Sequence, residues 1–196
     1  MSPAKFEGWP PVRPVTTCGS IFVTRHPSGM TERKAFTPAE WRTLAQTPVE
    51  VMFGVVVASN GGLRRELKTI RRTLRHTDEF GPESELVTHV AGAVRVNADR
   101  MRRDAETRDF TRPVAIARAH DHCREATAIV RARATPAERD EYGRFVRWCA
   151  ERVADAGVEG GILRLGGRRV SPAERAFIDA IGETLAVADT PSETSG

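Results

Sequence analysis

The 196-residue chain is expected to fold as an all-α bundle of six or seven helices, and two observations predict it. Four times a Ser or Thr is followed by Pro, a small apolar residue and Glu: Thr37-Pro38-Ala39-Glu40, Thr47-Pro48-Val49-Glu50, Thr135-Pro136-Ala137-Glu138 and Ser171-Pro172-Ala173-Glu174. Each reads as a helix start. The hydroxyl accepts from an amide of the first turn, Pro fits the first helical position, and the Glu carboxylate reaches back to the cap amide while offsetting the positive end of the macrodipole. Between these signals apolar residues recur every three or four positions, the spacing that builds one face of a helix.

Residues 1–36 are the exception. Pro3, Pro10, Pro11, Pro14 and Pro27 are incompatible with a long helix, so the stretch reads as a Pro-rich arm. Within it Ile21-Phe22-Val23-Thr24 and residues 30–36 flank His26-Pro27-Ser28-Gly29 as the strands of a small β-hairpin would. A first helix is expected over 38–46. Pro48 lacks an amide and disfavours helix in the residue before it, so a second helix is expected from there to the breaker Ser59-Asn60-Gly61-Gly62. With Val49, Val51, Met52, Phe53, Val55, Val56 and Val57, that second helix is apolar on nearly all sides and is expected at the centre. The third, 63–76, aligns Leu63, Leu67, Ile70 and Leu74, and the fourth opens near Pro82-Glu83-Ser84-Glu85 and aligns Leu86, Val90, Ala93, Val94, Asn97 and Met101. The fifth, capped by Thr111, aligns Ile116, His120, Cys123, Thr127 and Val130. The sixth aligns Tyr142, Phe145, Val146, Cys149 and Val153, and the last aligns Phe177, Ala180, Ile181 and Leu185. The organisation predicted is an arm over 1–36, a helical domain over 37–188 and a disordered tail over 189–196.

Composition narrows the class. The longest apolar run, 51–58, falls well short of the roughly 20 residues that a membrane span needs, and no basic-then-apolar leader opens the chain, so a soluble cytoplasmic protein is expected. Cys18, Cys123 and Cys149 are odd in number and lack Cys-x-x-Cys spacing, which points to reduced thiols rather than a disulfide framework or structural zinc. The net charge is +4, and the basic residues are Arg except for Lys5, Lys34 and Lys68. That ratio fits a GC-rich genome, or recognition of phosphates and carboxylates by the two-pronged guanidinium. The first cap is followed by Gly61-Gly62-Leu63, and the third, at similar spacing, by Gly160-Gly161-Ile162. This is either a diverged duplication or a coincidence of common start and stop signals.

Residues 153–175, with Glu159-Gly160-Gly161, a Gly-rich turn and Val170-Ser171-Pro172-Ala173-Glu174, resemble the C-terminal signature of uncharacterised bacterial helical proteins. More distantly the pattern is similar to the tellurite-resistance TerB-like fold, in which an Ala-rich helix ends in Asp-Gly and a Val-Ser-x-x-Glu cap follows. The resemblance covers residues 145–185 with a fainter echo at 55–70. It implies an all-helical fold with acidic metal-binding positions. This chain carries Glu159 at the aspartate position of one half and Asn60 at that of the other, so the resemblance leaves Glu159 and Glu174 as its metal candidates.

Read residue by residue, His120-Asp121-His122-Cys123 is the densest group of potential metal ligands. Adjacent helical residues point about 100° apart, so only His120 and Cys123 share a face, and a metal there needs ligands from another helix, such as His89 or Asp104. Against this stands a buried His and Cys satisfied within the core. The Gly-rich stretch 159–169 carries Arg164, Arg168 and Arg169 but lacks Gly-Lys-Ser/Thr and a preceding strand, so it is not a P-loop. Arg64, Arg65, Lys68, Arg71, Arg72 and Arg75 face only Glu66 within 61–75, a basic face for an acidic protein partner or, less well, for nucleic acid, since no aromatic residues are interleaved. The acidic stretch that follows, with Asp78, Glu79, Glu83 and Glu85, offers self-neutralisation instead. Polar residues on otherwise apolar faces (His89, Asn97, His120 and Tyr142) outline an interior pocket in which a His is acid or base, or else buried histidines bonded to carbonyls.

Two functions follow as expectations. One is a non-enzymatic bacterial accessory or interaction protein that presents the basic face, Arg64 to Arg75, to an acidic partner. The other is a helical-bundle enzyme or small-molecule or metal carrier whose interior pocket uses His89, His120 and Tyr142. Neither identifies a cofactor.

Overall fold

The structure, a computed structural model, describes residues 33–58, 63–106, 111–156 and 170–186. Among the described residues six α-helices build the fold: α1 (Pro38–Ala58), α2 (Leu63–Arg75), α3 (Glu85–Glu106), α4 (Arg112–Arg133), α5 (Pro136–Ala156) and α6 (Pro172–Ala186). No strand occurs among the described residues. The first strand expected in the arm, the Gly-rich stretch and the tail 189–196 lie outside them.

Three of the four expected caps close as reciprocal boxes. The Thr37, Thr135 and Ser171 amides donate to Glu40, Glu138 and Glu174 at 2.7, 2.9 and 2.7 Å, while the amides of those glutamates donate to the three hydroxyls at 3.2, 3.3 and 3.2 Å. Where the arm was expected to end in a strand, Arg33–Ala35 form a single 3-10 turn. The turn carries buried Phe36 onto Trp41, with ring centroids 6.0 Å apart. Phe36 just precedes the Thr37 cap and Trp41 stands at the fourth helical position, so the pair is a hydrophobic staple that fixes the chain's entry into α1. Arg33 covers the same indole from 5.2 Å.

The fourth signal marks no helix start. α1 runs unbroken through Pro48, which corrects the expected division into two helices. A proline inside a helix costs about 3 kcal/mol because it removes one ladder bond and crowds the carbonyl four residues back. Here that carbonyl belongs to Leu44, and Tyr142 of α5 donates its hydroxyl to it at 3.0 Å. The Thr47 hydroxyl turns backward to the Thr43 carbonyl at 2.8 Å instead of capping a new helix. Expected to be central, the apolar stretch after Pro48 is so, together with the helix before it: α1 packs against each of the other helices, and Leu44, Val51, Met52 and Val55 are almost fully enclosed.

The remaining elements close around α1. After α2, buried Thr77 donates to the Ala91 carbonyl of α3 at 3.0 Å and Gly81, at φ +67°, turns the chain. Ser84 caps α3, accepting from Val87, and Glu141 of α5 accepts from the Glu83 and Ser84 amides at 2.5 and 2.9 Å. A buried carboxylate from a distant helix therefore neutralises the N-terminal end of α3. Phe80, Phe145 and Trp148 pack together beneath this corner. α6 lies across α1, α4 and α5, with Phe177 of α6 between Gly54 of α1 and the His120 ring of α4.

Candidate functional site

The basic face is carried by α2, whose orientation is set by Ile70, Thr73 and Leu74, all buried in the core. With that side turned inward, Arg72 and Arg75 are exposed and Arg71 is half-buried. The side chains of Arg64, Arg65 and Lys68 lie outside the described residues. The acidic residues that follow α2 are engaged by other arginines: Arg95 of α3 stands 3.6 Å from Asp78, and Arg152 of α5 pairs with Glu79, which His76 also approaches at 3.4 Å. Arg152 additionally covers Trp148 from 5.5 Å, which anchors its aliphatic stem.

The interior candidates do not share one pocket. Tyr142 is 1% exposed, and its hydroxyl is committed to Leu44. Burial first, together with the neighbouring Cys123 and Cys149 and opposed by the nearby Thr47 hydroxyl, pushes its phenol far above the usual range. His89 is exposed on the outer side of α3, at the flank of the apolar stripe rather than on it. His120 is half-buried with its ring edge-on to Phe177 at 5.6 Å. Asn97, also half-buried, donates to the Ala93 carbonyl of its own helix at 2.8 Å. Cys123 and Cys149 are free, buried thiols, and burial pushes Cys123 up to about 12 and Cys149 higher still.

The metal candidates are placed as follows. The Glu174 carboxylate accepts from the Ser171 amide in the last capping box, and Glu159 lies outside the described residues. His120 and Cys123 stand on one side of α4 as the spacing requires, yet no group of three or more His, Cys, Asp or Glu side chains able to hold a metal occurs among the described residues.

Sequence reasoning missed a polar seam between α1 and α4. From one end to the other, Arg133 reaches Glu40 at 3.3 Å, Thr43 donates to Glu125 at 3.1 Å, Thr47 lies 3.3 Å from the His122 carbonyl, Arg118 stands 3.9 Å from buried Glu50, and Arg112 donates to the Ala58 carbonyl at 2.7 Å. Numbers rise along one helix as they fall along the other, so the two are antiparallel. The signal is present in the sequence: Thr43, Thr47 and Glu50 are spaced i, i+4, i+7, and so are Arg118, His122 and Glu125. Nothing local says that the two stripes meet. The functional groups of this seam are consumed in joining the helices, which leaves the basic α2 face as the candidate site.

No family model, curated protein or solved structure matches the chain. Among the described residues no helix is long and apolar enough to cross a membrane.

Proposed function

We propose that the protein is a non-enzymatic accessory or interaction protein that presents α2 to an acidic protein partner. One observation supports this reading most: α2 turns Ile70, Thr73 and Leu74 into the core and leaves Arg72 and Arg75 exposed. Within 63–75 six basic residues stand against one acidic residue, Glu66, a local charge of +5. Guanidinium groups suit such a surface, because each can grip both oxygens of a carboxylate.

The test uses a fluorescent polyglutamate peptide and, in parallel, a short DNA duplex, titrated with the full chain and with an Arg72→Glu, Arg75→Glu variant. The variant is expected to lose at least about tenfold in affinity for the acidic peptide, one decade being about 1.4 kcal/mol, with an unchanged melting temperature. Equal peptide binding by both proteins would remove α2 from the proposal. Tighter binding to the duplex, with an affinity that falls steeply with salt, would replace the acidic protein by nucleic acid.

A further inference from the structure

We propose that the middle of α1 is a latched joint, in which Tyr142 and Thr47 hold in line two half-helices that Pro48 divides. Pro48 supplies no amide to the Leu44 carbonyl, and the Tyr142 hydroxyl, from a side chain buried in α5, donates to that oxygen at 3.0 Å. Immediately before the proline, the Thr47 hydroxyl is shared between the Thr43 carbonyl at 2.8 Å and the His122 carbonyl of α4 at 3.3 Å. A threonine that bonds back to its own helix favours a bend, which here coincides with the proline. Both neighbours thus grip α1 within one turn of its weakest point.

Either side of that point leans on different parts of the molecule. The leading half is fastened by Glu40 to Arg133 and by Thr43 to Glu125, near the end of α4. The trailing half is fastened by Glu50 to Arg118, by Ala58 to Arg112 and by Gly54 to Phe177, at the start of α4 and on α6. Releasing the Tyr142 latch takes that hydroxyl from the Leu44 carbonyl and frees the helix to flex as two segments, each retaining its own fastenings. The interior beside Tyr142, Cys123 and Cys149 would then open locally rather than by unfolding of the whole chain.

The joint is tested by hydrogen exchange on amides 49–53 of the full chain, comparing wild type, Tyr142→Phe, Pro48→Ala and the double variant. Tyr142→Phe is expected to speed exchange there by about tenfold, as loss of one buried hydrogen bond should, with amides of α3 and the far end of α5 within about twofold of wild type. Pro48→Ala returns an amide to the Leu44 carbonyl, so in that background the same substitution is expected to change exchange by less than about threefold. An equal effect in both backgrounds, or a uniform rise over all helices, would overturn the proposal. Should Tyr142→Phe fail to fold, Pro48→Ala alone decides it: slower exchange at 49–53 supports the joint, and an unchanged rate refutes it.

Discussion

The ring of Phe177 occupies the space above Gly54 in which any other residue would carry its first side-chain carbon. A methyl group built there would overlap the ring tip and stand 2.8 Å from Cε1, so α6 reaches α1 only because position 54 has no side chain. Gly54→Ala is expected to destabilise the fold by about 1–3 kcal/mol, the usual cost of overpacking. Combined with Phe177→Leu, which removes the ring atoms that crowd position 54, the same substitution should cost less. Urea unfolding of the four proteins of this cycle measures the coupling.

The capping boxes are expected to differ in what their loss does. Thr135→Ala and Ser171→Ala each remove a local cap and should cost about 1 kcal/mol. Glu141→Ala acts across the molecule, exposing two amides at the start of α3, and should cost about 1.5–3 kcal/mol because the lost bonds are charge-assisted. Exchange of the Glu83 and Ser84 amides should rise in that variant while the caps of α5 and α6 stay protected.

Acid should loosen the first cap at a defined carboxyl. The Thr37 amide, then the Thr37 hydroxyl, hold Glu40 below the ordinary carboxylate value, with Arg133 assisting. A group whose folded pKa is depressed contributes stability above its unfolded pKa and loses that contribution as pH falls through the folded one. Carboxyl NMR titration should therefore find Glu40 among the last glutamates to protonate. Thr37→Ala should move it back toward the ordinary value of 4.5.

Thiol chemistry should report the core. Since burial holds Cys123 up to about 12, almost none of it is thiolate near neutral pH, and N-ethylmaleimide should label Cys123 and Cys149 of a Cys18→Ser variant only as fast as the structure opens. The raised value also gives a sign: the buried thiol's contribution is complete below the unfolded thiol pKa and is lost as pH climbs toward about 12. Immediate labelling in native buffer at pH 7 would contradict the enclosed positions.

Local chemistry made much of this architecture readable. Thr37, Thr135 and Ser171 announce helices because each box is complete within four residues, and the stripes on α3, α5 and α6 show which sides turn inward. Thr47-Pro48-Val49-Glu50 carries the same four-residue signal and stands inside a helix, since what decides its state is a hydroxyl on residue 142. Glu50 has the spacing of a cap residue and instead faces Arg118, while Glu141, with no cap signal around it, caps another helix. His122, lost among its neighbours, has its carbonyl against Thr47. His89 adjoins the apolar stripe of α3 in sequence, yet one residue's rotation about the axis puts it in solvent. Each miss depends on which helices become neighbours, a property of the pairing of distant segments rather than of any one of them.

The polar seam of α1 and α4 also sets alignment. Valine and alanine surfaces slide past one another at little cost, because one apolar contact replaces another, whereas polar partners are not interchangeable. Moving α4 along α1 by one turn in one direction would set the buried Glu50 carboxylate opposite Val114; in the other it would set the Thr43 hydroxyl opposite Ile129. Such misfits work like the graduations of a ruler, allowing the two longest-paired helices a single setting and rejecting near-miss folds that the greasy interior alone would accept.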